Sequence, residues 1–492
     1  MIRIKMDNHG IGVGRRSGRS SISSLALILC LIMVIAQGIA IAEPGKNQPP
    51  NVILILVDDL GWKDLGCYGS SFYETSNIDQ IAADGMRFTS AYAAAPVCSP
   101  TRASLMSGKN PARLGFTGHI TSILKYRYPQ NARILPPDDY MCLRLEEVTL
   151  AEALKPAGFV SASIGKWHLG PEGYWPKSQG FDFNIAGNTH GSPPGYFSPY
   201  INAKKSWAPT LVTMKDGPPG EYLTDRLTDE AMRFIETHHD RPFFLYLTHY
   251  AVHTPIQAPE FLIEKYRAKL RTDSSQKNAT YAAMIESVDR GVGRLLKKLE
   301  QLELTDNTIV IVFSDNGGLE RVTRNKPLRG GKQDLYEGGI RVPLIIKWPG
   351  RVAGNGRCDV PVISHDLWPT ILQMTGVECQ NPESTIDGRS LVPLLAGEDG
   401  WEPRSLYWYY PHYARRPGAI VLDGDYKLIE YYDPIEVELY HLASDLGETK
   451  NLKFEMSTKR AELRSKLKKW LRDVGTTMHT LNPDRNPGPT ED

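Results

Sequence analysis

The sequence predicts an α/β protein with a large, mostly parallel sheet flanked by helices and a smaller C-terminal antiparallel sheet followed by a helix. Up to about residue 370, short apolar runs alternate with helical patterns. The first run, Asn51–Val57, is almost wholly apolar, as expected of a parallel strand buried on both faces. After residue 370, short β segments follow one another closely, with turns at Asp423-Gly424 and Asp433-Pro434, which favours an antiparallel sheet.

The predicted elements follow in chain order. The strands of the large sheet are Asn51–Val57, Phe159–Ile164, Pro242–Leu247, Thr308–Phe313 and Val342–Lys347. Helical patterns cover Leu150–Ala157, Thr224–His238 and Tyr281–Leu302, the last with an apolar stripe along one face. The C-terminal elements are the β segments Leu406–Tyr410, Ala419–Leu422, Tyr426–Tyr432 and Val437–Leu442 and the helix Met456–Val474.

Residues 1–42 are predicted to be a secretory signal peptide. A basic segment precedes the apolar run Leu25–Ala36, and Ala40-Ile41-Ala42 matches an A-x-A cleavage site. The alternative is a retained membrane anchor, since Leu25–Ala42 is barely long enough to span a bilayer, but Gln37 and the cleavage site favour removal. We therefore expect an exported protein, periplasmic or secreted, without a stable membrane span. Its predicted parts are a catalytic domain (43–370), a C-terminal α+β subdomain (371–474) and a flexible tail (475–492).

Composition narrows the class of protein further. Apolar residues make up 41% and charged residues 23% of the chain, which is typical of a soluble globular enzyme. The net charge of +1 argues against nucleic acid as the main partner. Four cysteines outside the signal peptide and the motif below, Cys67, Cys142, Cys358 and Cys379, have no metal-like spacing. An exported chain can pair some of them, and proximity in sequence favours Cys358 with Cys379.

Polar residues that can carry chemistry follow directly after the predicted strands. They are Asp58, Asp59, Lys166, His168, His253, Asp315 and Asn316. Ligands of open α/β sheets bind beyond the carboxyl ends of the strands, so we expect these side chains to meet at one site. Four of them offer oxygen ligands, namely Asp58, Asp59, Asp315 and Asn316, and such ligands suit Ca²⁺ or Mg²⁺ better than Zn²⁺.

A five-residue motif precedes another predicted helix: Cys98-Ser99-Pro100-Thr101-Arg102, which reads C-x-P-x-R. Pro100 suits the first turn of a helix, and a helix N-terminus is a natural anion site. The alternative interpretation is an ordinary buried thiol before a helix.

Together with further motifs, the chain resembles the formylglycine-dependent sulfatases, the arylsulfatase A-like group of the alkaline phosphatase superfamily, from about residue 50 to residue 452. The motifs are V-D-D-L-G-W, C-S-P-T-R-A-S-L-M-S-G, G-K-W-H-L-G, A-V-H-T-P, F-S-D-N-G-G, L-R-G-G-K-x-x-x-Y-E-G-G-I-R-V-P and a C-terminal G-D-Y-K-L-I…E-L-Y-H-L-x-x-D-x-G-E-T-K-N-L. The resemblance implies an alkaline phosphatase-like sheet, sulfuric ester hydrolase activity and a divalent metal, usually Ca²⁺ with Mg²⁺ possible.

The same resemblance implies a role for each motif residue. A formylglycine-generating maturation enzyme would oxidise Cys98 to 3-oxoalanine (formylglycine), whose hydrate attacks sulfur. The metal would be held by Asp58, Asp59, the modified Cys98, Asp315 and Asn316. Arg102 would hold the hydrate, and the sulfate would be surrounded by Lys166, His168, His253 and Lys332. Either His253 or Lys332 would protonate the leaving alcohol, and His168 is the candidate base.

The predicted substrate is a sulfate ester of a carbohydrate, either a small molecule or an oligosaccharide, because an exported enzyme meets polysaccharides. Asn188 and His190 follow G-K-W-H-L-G by about twenty residues, and His412 lies in a segment rich in aromatic and polar residues. These three are predicted sugar contacts; the alternative is that their loops only pack the two domains together. Two other functions remain open: a phosphonate or phosphate ester hydrolase of the same superfamily, and a non-catalytic metal-binding homologue with an unmodified Cys98.

Overall fold

The structure is a computed structural model that describes residues 48–120, 128–201, 211–271, 276–378 and 385–485. The predicted signal peptide and Cys379 lie outside these ranges, and so does the proposed pairing of Cys358. Cys67, Cys98, Cys142 and Cys358 are free thiols. Among the described helices, none combines the length and the apolar character that a membrane crossing requires.

Three sheets are formed by strands distributed along the described chain. In chain order the strands are β1 Asn51–Val57, β2 Met86–Tyr92, β3 Ile134–Leu135, β4 Val160–Gly165, β5 Phe183–Ile185, β6 Phe243–His249, β7 Thr308–Ser314, β8 Arg341–Lys347, β9 Gly356–Cys358, β10 Val362–Ile363, β11 Leu406–Tyr410, β12 Gly418–Asp423, β13 Tyr426–Tyr432, β14 Ile435–His441 and β15 Thr480–Leu481.

The large sheet has the order β10-β2-β8-β7-β1-β6-β4-β5, with β9 also paired to β2. At its centre β1 runs parallel to β6 and β7, with Val57 opposite both His249 and Ser314. Only β8 runs antiparallel to its neighbours, β7 and β2. The predicted mostly parallel sheet is therefore confirmed, and its parallel centre brings the carboxyl ends of β1, β6 and β7 together.

Helices cover both faces of this sheet. In chain order the described α-helices are α1 Ser76–Ala83, α2 Cys98–Ser107, α3 Pro111–Leu114, α4 Leu150–Leu154, α5 Leu223–His238, α6 Glu260–Lys269, α7 Ala279–Gln301, α8 Glu337–Ile340, α9 Leu367–Thr375, α10 Val392–Leu395 and α11 Ser457–Asp473. The last of them, α11, packs on the C-terminal sheet instead. Alternate residues of β1 enter two different cores: Ile53 packs on the side of α5 and α7, and Leu54 on the side of α2 and α9. Burial on both faces explains why β1 is apolar throughout.

The C-terminal sheet, β11-β12-β13-β14, is antiparallel, as predicted. One face packs against the large sheet, and its residues Trp408 and Ile420 lie in the same hydrophobic cluster as Tyr92 of β2. The other face carries α11, through Val421 and Leu467 among others. The C-terminal sheet is thus held between the large sheet and the last helix, and the described residues from Pro49 onward belong to one compact unit.

Two predicted boundaries differ from the structure. Helix α9 runs through residue 370 and packs Leu367 and Ile371 into the core of the large sheet, so the change of architecture comes later, near β11. The predicted flexible tail contains ordered residues, because β15 pairs with β3 and the Asn482 amide donates to the Ala132 carbonyl at 2.9 Å. Both differences arise from tertiary contacts that local composition does not reveal.

A buried charge cluster joins the C-terminal sheet to the segment that follows Lys332. The Lys427 ammonium donates to Glu337 at 3.0 Å and lies 2.8 Å from Glu448. The Glu337 backbone N–H also donates to Glu448 at 2.7 Å, and the Tyr92 hydroxyl donates to Glu337 at 2.9 Å. Burial, opposed by Lys427, raises the pKa of Glu448 to about 7.

This raised pKa predicts a pH-dependent stability. Between about pH 4.5 and pH 7, folded Glu448 keeps a proton that the unfolded chain releases, so its contribution to stability decreases as the pH rises. The Glu448→Gln side chain stays neutral at every pH. We expect the difference in the free energy of unfolding between Glu448→Gln and wild type to shift by roughly 2 kcal/mol in favour of the variant as the pH rises through this range. Urea unfolding at several pH values measures the difference. Exposed Glu462→Gln should follow wild type, and parallel wild-type and Glu448→Gln curves would exclude the effect.

Candidate active site

The carboxyl ends of β1 and β7 carry the four predicted oxygen ligands. Asp58 and Asp59 follow β1, Asp315 and Asn316 follow β7, and all four are buried. The parallel register of the two strands places these pairs side by side, and the Asn316 amide donates to Asp59 at 2.7 Å. The predicted convergence of these residues is present in the structure.

Helix α2 brings the predicted nucleophile to the same place. Cys98 is its first residue, and every residue of the helix is buried. Arg102, one turn on, donates from Nε to Asp315 Oδ2 at 2.7 Å and from Nη1 to the Lys166 carbonyl at 2.7 Å. The helix is therefore fixed to the ends of β7 and β4 through one guanidinium group.

Two lysines complete the centre. Lys166 Nζ lies 2.7 Å from Asp58 Oδ2, and Lys332 Nζ lies 2.7 Å from Asp59 Oδ1. Lys332 Nζ also lies 3.6 Å from the sulfur of Cys98. Lys332 reaches the site from the loop between β7 and α8. This loop ends at Glu337, which belongs to the buried cluster with Lys427 and Glu448.

Burial and neighbouring charges shift the protonation equilibria of these groups. Burial and the nearby Asp315 raise the pKa of Asp58. The pKa of Asp59 is lowered: burial opposes this, but the neighbouring groups Lys332, His253 and Lys166 and the hydrogen bond from Lys332 together outweigh it. Burial, reinforced by Lys332, lowers the pKa of His253 to about 3, and burial lowers the pKa of His168 well below its usual value. Both imidazoles are therefore neutral in this arrangement of side chains.

The donor set fits a hard divalent cation. Within the described part of the chain, three buried oxygens of this cluster accept no hydrogen bond: Asp58 Oδ1, Asp59 Oδ2 and Asn316 Oδ1. Ligand atoms of Asp58, Asp59 and Cys98 lie within 4.8 Å of one another. Unpaired buried oxygens are costly, and a cation would satisfy them, with oxygen donors favouring Ca²⁺ or Mg²⁺.

Asp59 and His168 share an uncommon backbone conformation. Their φ angles are 63° and 62°, in the left-handed region that residues other than glycine seldom adopt. His168 follows β4 by three residues, and its backbone N–H donates to the Asn188 carbonyl at 3.0 Å. Such conformations persist where surrounding contacts enforce them, and they concentrate at functional sites.

The sequence reasoning missed one residue of the site, His119. Its ring packs edge-on against that of His168, with 4.6 Å between centroids, and ligand atoms of Cys98, His119 and His168 lie within 4.8 Å of one another. His119 follows no strand and belongs to no motif quoted above. Its only signal in the sequence is a histidine in the loop after α3.

The three predicted sugar contacts lie at different depths. Asn188 is buried, and its side chain accepts a hydrogen bond from the His190 backbone N–H at 2.7 Å. The half-buried His190 is followed by Gly191, where a Cβ would come 2.3 Å from the His168 ring. This loop therefore packs directly on His168. His412 is mostly buried, with Nε2 2.9 Å from the Thr117 hydroxyl and 3.3 Å from Asp139.

Comparison with known proteins gives consistent matches. The family described as Sulfatase matches residues 50–377, and the family described as N-sulphoglucosamine sulphohydrolase, C-terminal, matches residues 331–476. A protein of Formosa agariphila named Sulfatase is 31% identical over 547 residues, covering 96% of this chain and 98% of its own length. The N-acetylgalactosamine-6-sulfatase of Canis lupus familiaris is 36% identical over 403 residues, covering 77% of this chain and 72% of its own.

A solved structure is similar as well. The crystal structure of Ps i-CgsB in complex with k-i-k-neocarrahexaose is 29% identical to this chain and superposes with a TM-score of 0.73. The match covers 87% of this chain and 94% of the other.

Proposed function

The chain belongs to the sulfatase family and is a sulfuric ester hydrolase, and from this premise we propose that it removes sulfate groups from carbohydrates, using residue 98 as the nucleophile. The observation that supports this most directly is the surroundings of Cys98. It begins a buried helix and lies 3.6 Å from the Lys332 ammonium, in a cluster that includes Asp58 and Asp59. This concentration of charge suits an anionic reacting group, and an ordinary structural thiol does not need it.

Cys98 is proposed to be converted to formylglycine by a maturation enzyme of the host cell. When formed, the aldehyde hydrate supplies the hydroxyl group that attacks sulfur. Arg102 orients residue 98 from within the same helix. Lys166 and Lys332 place positive charge where the sulfonyl oxygens gain negative charge in the transition state.

Three side chains are proposed to transfer protons, one as a base and two as candidate acids. His168, held beside Cys98, is the proposed base that returns residue 98 to the aldehyde. His253 and Lys332 are the two candidate acids for the leaving oxygen, because both keep some exposed surface at the site, 15% and 8% of their side chains. Lys332 already carries a proton, whereas the neutral His253 must take one up when the anionic ester binds. A leaving group emerging toward solvent passes these two side chains.

The proposed cation is Ca²⁺, held by Asp58, Asp59, residue 98, Asp315 and Asn316. The charges of the site support a divalent ion. The three carboxylates, which are ionised when they hold a cation, are balanced by Arg102, Lys166 and Lys332, so a bound dication leaves two positive charges to bind a sulfate dianion. When bound by these residues, the cation would supply Lewis-acid stabilisation of the negative charge that develops on oxygen.

The carbohydrate assignment rests on two relatives and on the proposed export of the chain. One relative is named N-acetylgalactosamine-6-sulfatase, and a structural neighbour holds a neocarrahexaose. We propose that this chain, exported by its N-terminal segment to the periplasm or the medium, acts on such sulfated sugars. Asn188 and His190, on the loop against His168, are proposed to approach the sugar.

Substrate preference tests this proposal. We expect purified, converted protein to release sulfate from 4-nitrophenyl sulfate and, more efficiently, from at least one sugar in a panel containing N-acetylgalactosamine 6-sulfate and carrageenan oligosaccharides. Hydrolysis of phenyl phosphonates should be at least about tenfold slower, since charged clusters shaped for one transition state discriminate against another. Sulfate release is measured by ion chromatography. Faster phosphonate hydrolysis would favour the phosphonate esterase alternative, and inactivity on every sugar would exclude the carbohydrate assignment.

A further inference from the structure

His119 lies beside the reacting centre, although the motifs above give it no role. One of its ring nitrogens lies within 4.8 Å of the Cys98 sulfur and of a His168 nitrogen. The His119 ring packs edge-on against that of His168, with 4.6 Å between their centroids. His119 is thus close enough to contact a molecule bound at residue 98.

Exposure distinguishes His119 from the groups at the base of the site. Arg102, Lys166 and His168 have no exposed surface, so we assign them to the enclosed end of the site, where the sulfate group of the proposed substrate binds. His119 keeps partial exposure, as do His253 and Lys332. The exposed edge of the site is where the alcohol part of a sulfate ester must lie, because its sulfonyl end occupies the enclosed part.

We propose that His119 binds the alcohol part of the sulfate ester and so helps to determine which sugar is accepted. An imidazole nitrogen can donate to or accept from a sugar hydroxyl, and its ring can pack on the sugar face. This inference rests on the proposed function, because it requires the ester to react at residue 98. His119 would be a specificity residue on the loop after α3. The Asn188–Gly191 loop, which also packs on His168, is a different segment of the chain.

Hydrogen bonds to Asp139 and a contact with His412 hold the loop that carries His119. Asp139 accepts hydrogen bonds from the backbone N–H groups of Thr117 and Gly118, and the Thr117 hydroxyl lies 2.9 Å from His412 Nε2. A Cβ on Gly118 would approach the His412 ring to 2.9 Å, so this contact is close. We therefore assign His412 as a positioning residue that acts through His119. This role replaces the direct contact with the sugar that the sequence predicts for His412.

The experiment compares two substrates in three variants. On the sulfated sugar that wild type hydrolyses best, His119→Ala should lower kcat/KM about 50-fold, mostly through KM, and on 4-nitrophenyl sulfate only about fivefold. His119→Gln, which keeps a hydrogen-bonding group, should recover part of the sugar loss. His412→Ala should shift the same ratio in the same direction by a smaller factor. Melting temperatures and the mass of residue 98 identify any variant that fails to fold or to be converted.

Binding supplies a second measurement that does not depend on conversion. In the Cys98→Ala background, His119→Ala should weaken calorimetric binding of the sugar but leave binding of inorganic sulfate within about twofold. Equal losses on both substrates, or undiminished sugar binding, would overturn the role of His119 while leaving the sulfatase proposal intact. Wild-type turnover of the aryl sulfate without any sugar activity would instead overturn the carbohydrate assignment, and this inference with it.

Discussion

Replacing Cys98 by alanine is expected to abolish turnover, by on the order of 10⁴-fold or more, while leaving the fold in place. Cys98 supplies the nucleophile in the proposed reaction, and removing a nucleophile eliminates the covalent route. The substitution deletes one buried atom from the start of α2, so the protein should remain folded. Sulfate release from 4-nitrophenyl sulfate measures the loss, and the melting temperature measures the fold.

Mass spectrometry links this loss to the modification. The tryptic peptide of wild type should be about 18 Da lighter than its sequence predicts, because a thiol becomes an aldehyde. The matched control is Cys358→Ala, a buried thiol on β9, which should stay active. Near-normal turnover in Cys98→Ala, or an active wild type with an intact thiol, would contradict the assignment.

Asp315→Asn should lower activity at least about 100-fold and eliminate the stabilisation by Ca²⁺. The change keeps the shape of the side chain but removes one of three buried carboxylates and the charge that faces Arg102. Wild type depleted of metal should gain about 2.7 kcal/mol of stability at a Ca²⁺ concentration 100 times its Kd. Thermal melting with chelator and then with Ca²⁺ or Mg²⁺ measures this difference in both proteins.

Asp289→Asn controls for the general cost of changing a buried carboxylate. Asp289 accepts hydrogen bonds from the Asn77 and Ile78 backbone N–H groups, away from the site. This variant should lose stability but keep its response to Ca²⁺. A metal-free wild type with full activity, or an Asp315→Asn variant that Ca²⁺ still stabilises, would exclude the metal site.

The central strands could be predicted because burial on both faces leaves a direct pattern in the sequence. Observed β1, β11 and β13 have the predicted bounds, and the other predicted strands differ by at most two residues at an end. Strand β2 was missed because Met86–Tyr92 mixes apolar and polar residues and is only partly buried. Strands β5, β9 and β10 are two or three residues long, and pairing with neighbours defines them more than their own residues do.

The site could be predicted where the chemistry is attached to strand ends or to motifs. Asp58, Asp315 and Lys166 follow buried strands, so the topology of a parallel sheet alone brings them together. His119 is brought to the site by a loop whose path depends on distant hydrogen bonds, such as the one that the Thr117 backbone N–H donates to Asp139. Sequence patterns carry no information about such long-range contacts.

The complete enclosure of Cys98 has a consequence for the time at which its proposed conversion can take place. The residue has no exposed surface, and the helix that it begins is buried along its whole length. If residue 98 is converted as proposed, the modifying enzyme has to reach it before the newly made chain folds, because the folded protein leaves the residue inaccessible. On this proposal, molecules that fold first keep the thiol and stay inactive. The yield of folded protein and the fraction of active molecules would then be set by separate steps in the producing cell.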